Sequence, residues 1–411
     1  MRRLIAVVAV AFALRVAAVL LIEVDPRAHW GFDMSWYDGV ARRLVAGLGY
    51  VGFDLAPTAH WPPGYPFLLA AVYWLFGPSL LAAKLANAVL ATVTVVLTYR
   101  IGCELGRPRV GLVAAALLAL FPGDILFSPP IMSEALFAML FCASLWLFLV
   151  CSNRGHTGSL AWLAFGLLLG VATLVRGTAL PMFPAFTLTW LASGTGLRRA
   201  LRYSLAAAVG LVLALLPWIV RNQLRLGSPI LIATNGGNAV WIGQSAVATA
   251  HENLLPPNPT QEASADRLPN PEREVETDRA KMRAALTSMR THPGRVVTMM
   301  PAKTYMLYKN DRGSYPFIDG GIREILAPER RPWFDALVDG YYFVVLGLAL
   351  VGMRHFLGRK HEAVLLPIIV AWFTLLHAVL FFGLTRFHHT LLPVFCLMAA
   401  AELLAWTRRT A

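Results

Sequence analysis

Six ionisable residues stand near the ends of long apolar runs: Asp33, Asp38, Glu134, Arg176, Arg221 and Arg386. Charge at the edge of a membrane-length segment is costly unless it pairs or binds something. The arginines carry forked guanidinium groups that suit the oxygens of a phosphate. The carboxylates can take a proton from a hydroxyl as its oxygen attacks carbon. A sugar held on a lipid phosphate would need both. The leaving phosphate gains charge in the transition state, so fixed arginines would speed the step as well as bind the ligand. Such a reaction consumes no nucleotide, and neither a P-loop nor a Rossmann fingerprint occurs in the chain.

The elements that must position these residues are read from composition and charge. The 411-residue chain is 57% hydrophobic and 14% charged. A soluble protein of this length would need more polar surface. The apolar runs are too long for barrel strands, so the expectation is an all-α polytopic membrane protein. Spans are expected at roughly 4–22, 79–101, 109–127, 131–151, 158–175, 178–193, 203–220, 339–353, 362–382 and 388–407, with a half-span at 64–77. The first run is too long for the apolar core of a signal peptide and is read as a retained span. The net charge of +13 falls in short turns, as positive-inside flanks do, and no nucleic-acid motif accompanies it. Arg2-Arg3, Arg100/Arg107/Arg109, Arg154/His156, Arg198/Arg199/Arg202, Arg354/Arg359/Lys360 and Arg408/Arg409 then mark the inside. That sign places both termini in the cytoplasm. The first loop (23–63), the turns 122–134 and 176–178, the polar segment 221–338 and the turn 383–389 fall outside. Arg176, Arg221 and Arg386 are on the side where positive charge is disfavoured, so an anionic ligand there is expected. The chain divides into an N-terminal membrane module (1–220), an extracytoplasmic region (221–338) and C-terminal spans (339–411).

Individual residues have plainer readings too. Asp33 could simply cap the amphipathic helix expected over 34–48, whose apolar face holds Met34, Tyr37, Val40, Ala41, Leu44 and Leu48. Asp38, off that face, is expected to be solvated, and Glu134 could cap or pair at the start of its span. Arg386 could anchor at the headgroups. His388 and His389 share no helix face well, so structural contacts are expected of them rather than metal binding. His60-Trp61 fits an interfacial belt, with sugar stacking as the alternative. Lys303 and Tyr305 could touch an acceptor. Gly166 and Gly170 form a small-xxx-small pair for helix packing. In 221–338, residues 252–271 are expected to be irregular, and Asn270-Pro271-Glu272 to start a helix striped by Val275, Met282, Leu286 and Met289. The four cysteines lie in or beside apolar runs with no CxxC, and His251-Glu252 lacks the second histidine of a zinc motif. No cofactor is expected, although acids at an outer cavity could hold a divalent ion.

The first loop reads Asp33-x3-Tyr37-x3-Ala41-x2-Leu44-x2-Gly47, then His60-Trp61-Pro62-Pro63-Gly64-Tyr65-Pro66. Ser133-Glu134, Arg176, Pro217-Trp218-x2-Arg221-Asn222, Asn235-Gly236-Gly237-Asn238 and Arg386-Phe387-x5-Pro393 follow in order. This set resembles the C-type-fold glycosyltransferases that use polyprenyl-phosphate sugars, the group of protein O-mannosyltransferases, lipid A aminoarabinose transferases and rhizobial galacturonosyltransferases. The resemblance implies a bundle of about 10–11 transmembrane helices with an outward cavity beneath the first loop. It implies Asp33 as catalytic base or acceptor-orienting acid and Glu134 as a second acid. Arg386 would hold the donor phosphate with Arg176 or Arg221 assisting, and Tyr37, His60, Tyr65 and Asn235 would line the substrate cavity. The implied activity is transfer of a sugar, with inversion, from a polyprenyl-phosphate donor to a lipid, glycan or protein acceptor on the outer face of the plasma (inner) membrane. The chain departs from the protein mannosyltransferases in having no acid directly after Asp33, and it is shorter than the aminoarabinose transferases. Two alternatives are a lipid-linked oligosaccharide polymerase or ligase, which would favour Arg and His in the large loop, and a flippase or transporter, which would favour midplane charges and internal repeats.

Overall fold

The computed structural model describes residues 1–24, 26, 33–153, 158–245, 271–357 and 362–410. Phe32, Arg154, His156, His251-Glu252, the stretch 252–270, Arg359 and Lys360 lie outside the described residues. The described residues form helices α1 (Arg2–Leu21), α2 (Asp33–Val45), α3 (Gly64–Phe76), α4 (Leu80–Glu104), α5 (Pro108–Ala119), α6 (Pro122–Leu126), α7 (Glu134–Asn153), α8 (Ser159–Val175), α9 (Phe183–Ala192) and α10 (Leu197–Leu226). They continue as α11 (Gly236–Gln244), α12 (Pro271–Thr291), α13 (Pro293–Tyr308), α14 (Tyr315–Ile325), α15 (Arg331–Gly352), α16 (Leu365–Val379) and α17 (Leu392–Thr410). The only strand-like pairing among them is an isolated bridge between Val51 and Pro57.

The chain is an all-α, multi-pass membrane protein. Six described helical segments are long and apolar enough to cross a bilayer, and α3, α5, α8 and α16 are shorter apolar helices. The half-span at 64–77 is α3, entered through Pro62-Pro63 and stopped at Gly77, whose φ of 75° suits glycine. Two expected spans are broken instead. The run 109–127 stops after Ala119 and restarts at Pro122 as the five-residue α6. Proline lacks the N–H that an uninterrupted helix needs there. The run 178–193 opens as a tight 3-10 turn, Gly177–Met182, with Pro181 inside it. The span expected at 203–220 is the middle of the 30-residue α10, which ends at Gly227 in the left-handed conformation.

Packing follows the small residues. A Cβ on Gly166 of α8 would lie 1.8 Å from the carbonyl oxygen of Ala207, so α8 and α10 approach backbone to backbone. Beside this seam Phe148, Trp162, Phe165, Phe186, Trp190 and Tyr203 form an aromatic cluster. At one end of the bundle Arg107 donates to the His355 carbonyl, Arg354 pairs with Glu402, and Asn153 donates to the Glu104 carbonyl. The turns of Arg107 and Arg354, both read as inside, therefore meet at one end. The polar segment packs on the bundle: Ile318 and Ile322 of α14 bury against Ala18 and Ile22 of α1 and Val338 of α15. The buried stripe of α12 is Val275 and Ala285, with Met282 beside them, while Leu286 is 41% exposed.

Candidate active site

Both acids begin helices, and both arginines lie where a regular helix is interrupted. Asp33 is the first residue of α2 and Glu134 the first of α7, where the helix dipole favours negative charge. Arg176 ends α8 in an extended conformation, and Arg386 lies in the 3-10 segment Thr385–Leu391 that precedes α17. The fold brings these four together. An Arg386 Nη donates to Asp33 Oδ2 at 2.7 Å, across 353 residues of sequence. Arg176 pairs with Glu134 at 2.7 Å, and Glu134 is 2% exposed. Both guanidinium groups lie against the Phe387 ring, at 5.5 and 5.7 Å.

Asp33, Arg176 and Arg386 line a cavity of about 320 Å³. Tyr37, Trp61, Ser133, Asn235 and Asn238 complete its polar wall. Tyr37 is one helical turn after Asp33, and its hydroxyl meets Ser133. Burial, then the charges of Asp33 and Glu134, push that phenol well above its ordinary range, so it stays protonated. A second cavity of about 550 Å³ shares Pro62, Gly177, Asn235 and Phe387 with the first and runs along Ile230–Thr234 to α12.

The other residues singled out by type and spacing fall elsewhere. Arg221 does not line the acid–arginine cavity. Its guanidinium donates to the carbonyls of Thr58 (2.7 Å) and Tyr50 (2.5 Å) and lies over Trp218 at 4.9 Å, so it clamps the first loop. Tyr65 is fully buried one layer behind Tyr37, with its hydroxyl on Asn87 at 3.1 Å. His60 packs between Trp36 and Trp61 rather than lining the cavity, and its burial holds the imidazole below its usual range. Asp38, expected in solvent, is 4% exposed and bonded to the Tyr73 hydroxyl at 2.6 Å and to Arg42 at 2.8 Å. Lys303 is fully buried, whereas Tyr305 is 68% exposed.

His388 and His389, just after Arg386, make the structural contacts expected of them, but sequence reasoning missed their acidic partners. His388 pairs with Asp311 at 3.0 Å, and His389 with Asp124 at 3.4 Å. Asp124 also pairs with Arg15, a fully buried arginine in the middle of α1. A lone arginine inside an apolar run was the available signal. Gly313 permits the loop of Asp311 to lie against Arg386, since a Cβ there would meet the Arg386 backbone at 2.6 Å. Glu274 of α12 was missed as well. Its carboxylate accepts from Thr58 Oγ1 (2.6 Å), the Ala59 N–H (3.0 Å) and Thr234 Oγ1 (2.5 Å), tying the first loop to the wall that carries Asn235. Among the described residues no three His, Cys, Asp or Glu side chains gather as a metal site.

Residues 60–220 match the family described as dolichyl-phosphate-mannose-protein mannosyltransferase. The whole architecture is similar to that of an Archaeoglobus fulgidus oligosaccharyltransferase (15% identity, TM-score 0.58), covering 99% of this chain and 49% of that one. Archaeal AglB from the same organism, in complex with an inhibitory peptide and a dolichol-phosphate, is similar to the same degree (15% identity, TM-score 0.58, 99% and 50% covered). So is apo ArnT from Cupriavidus metallidurans (14% identity, TM-score 0.59, 98% and 61% covered). The chain shares the C-type glycosyltransferase fold. This is the fold that the ordered motifs from Asp33 to Pro393 implied. No curated protein matches the chain in sequence. The chain spans about half the length of the oligosaccharyltransferases it matches and 61% of ArnT. Asp33 and Tyr37 of α2 and Trp61 and Pro62 of the first loop share the cavity lining with Arg386.

Proposed function

We propose that the chain is a membrane glycosyltransferase that moves a sugar from a polyprenyl-phosphate donor to an acceptor hydroxyl or amine. The observation that carries this reading is the meeting of two acid–arginine pairs, Asp33–Arg386 and Glu134–Arg176, at one cavity of a C-type fold. The dolichol-phosphate bound by AglB supports a lipid-linked donor. In the proposed step an acceptor oxygen or nitrogen attacks the anomeric carbon while its proton passes to Asp33. The bond from that carbon to the phosphate oxygen breaks, and the phosphate leaves with the electron pair as free polyprenyl phosphate. Arg386, with Arg176 behind it, neutralises the charge gained on the leaving oxygens. Attack opposite the leaving group inverts the anomeric centre. Glu134 holds Arg176 in place, and Tyr37, still protonated, donates a hydrogen bond into the cavity.

The three parts of the chain each contribute. Module 1–220 supplies Asp33, Glu134 and Arg176, region 221–338 supplies the Asn235 wall, and the C-terminal spans supply Arg386. We place the cavity on the outer face of the inner membrane, with both termini in the cytoplasm, from the turns of Arg107 and Arg354 that meet at the opposite end. The test has two arms. Reporter fusions within 33–63 and 271–325 should read as outside. Mass spectrometry of cell-envelope glycolipids and glycoproteins, with and without the gene, should show one sugar modification lost. An unchanged envelope with donor accumulating on the cytoplasmic face would favour a flippase, and loss of long polymers alone would favour a polymerase or ligase.

A further inference from the structure

A third cavity, of about 570 Å³, lies on the other side of the first loop from the reactive one and shares no lining residue with it. Leu48, Tyr50, Phe67, Leu174 and Trp218 form its apolar walls, and Arg221 and Arg225 stand one helical turn apart in its lining. No Asp or Glu lines it. Arg221 is engaged with the carbonyls of Tyr50 and Thr58, but Arg225 is exposed and has no salt-bridge partner among the described residues. The groove borders the outward face of α10, where Val209, Val212, Leu213, Leu216, Val220 and Leu224 are exposed apolar side chains. That face meets lipid in a membrane protein, so the occupant of the groove comes from the bilayer.

We infer that this groove binds an anionic glycerophospholipid, with one acyl chain against the Leu48–Phe67–Trp218 wall and the phosphate on Arg225. Two neighbouring guanidinium groups with no carboxylate in an apolar groove are complementary to a phosphate carrying a hydrocarbon chain. The groove holds no carboxylate or imidazole to take up a proton, which separates it chemically from the reactive cavity. Through Arg221 the bound lipid braces the Tyr50 and Thr58 backbone, and Thr58 is the residue that Glu274 ties to the cavity wall.

The test uses the purified full chain in detergent, titrated with phosphatidylglycerol, phosphatidylcholine or undecaprenyl phosphate and read by native mass spectrometry and thermal shift. Phosphatidylglycerol should bind more tightly than phosphatidylcholine and raise the melting temperature. Arg225→Gln should weaken it by about fivefold, the effect of one cation near a lipid surface, and Arg225→Glu by more. Leu48→Trp, which fills the groove without touching charge, should weaken it too. Equal binding of the two phospholipids, or phosphatidylglycerol binding unchanged in both Arg225 variants, overturns the inference. Preferential Arg225-dependent capture of undecaprenyl phosphate also overturns it, because the groove would then belong to the donor. Arg225 lies outside the proposed reaction machinery, so transfer activity in neutral detergent reports on that reading separately.

Discussion

Asp33→Asn separates the two jobs proposed for the acid–arginine pair. Asp33 holds the Arg386 guanidinium at 2.7 Å, and the two side chains are 14% and 18% exposed. Two unit charges with centres about 4 Å apart attract by about 4 kcal/mol at the effective dielectric of a partly buried site. A donor phosphate that uses Arg386 must compete with that attraction. The amide of asparagine keeps the shape and can still accept a hydrogen bond, but removes the competing charge. Donor binding should therefore hold or tighten, by up to about tenfold for each ~1.4 kcal/mol released. The chemical step should suffer, because a positioned base contributes about 10²- to 10⁴-fold, or about 3–5 kcal/mol of barrier. The assay is single-turnover transfer in reconstituted membranes, with donor affinity measured in parallel. The reasoning is refuted if Asp33→Asn retains a rate within about tenfold of the parent. Donor affinity that falls in step with the rate would refute it too.

Three further outcomes are expected. Glu274→Ala should loosen both loops it ties, since a charged acceptor bond contributes about 1.5–3 kcal/mol; hydrogen exchange at Ala59 and Thr234 should quicken, and unchanged protection would remove Glu274 as their link. Lys303 is fully buried, and its ammonium has no hydrogen-bond partner among the described residues. Burial, then nearby Arg295, pulls it down from 10.5 to about 8, so the cost of burying its charge is gone above pH 10.5 and grows as pH falls towards 8. Lys303→Met should then be more stable than the parent by about 2–3 kcal/mol near pH 7, with the gap in melting temperature closing at alkaline pH; a gap independent of pH would contradict this. Gly166→Ala should destabilise the α8–α10 seam by about 1–3 kcal/mol through overpacking, and an unchanged melting temperature would show that the helices separate freely.

The membrane helices were legible because apolar runs and signed turns are one-dimensional signals, and Gly166 with Gly170 pointed to the seam that forms. Asp33, Arg176 and Arg386 at the cavity, with Glu134 paired to Arg176, were legible for a related reason: each is a charge at the end of an apolar run, where it must pair or bind something. The sequence could not show how they pair, because Asp33 and Arg386 are 353 residues apart and only the fold joins them. Arg221 carries the same charge just past the end of an expected span, yet α10 runs on to Leu226 and its guanidinium turns to the loop carbonyls of Tyr50 and Thr58. Composition cannot separate a phosphate ligand from a backbone clamp, since both need the same donors. Asp38 misled for the opposite reason. It lies off the apolar stripe of α2, but α3 brings Tyr73 over it and makes its burial tolerable. The breaks at Pro122 and Pro181 cut two apolar runs that hydropathy alone reads as continuous.

The most direct measurement is release of free polyprenyl phosphate from a labelled polyprenyl-phosphate sugar, in the presence of a membrane-envelope acceptor extract, by the reconstituted chain and by Arg386→Gln. The parent should release lipid phosphate in proportion to sugar transferred, and Arg386→Gln should lose both donor affinity and rate, because the charge on the leaving oxygens is no longer met. Release and transfer by Arg386→Gln at the parent's rate and affinity would contradict the account, for the guanidinium that Asp33 holds would then have no part in the chemistry.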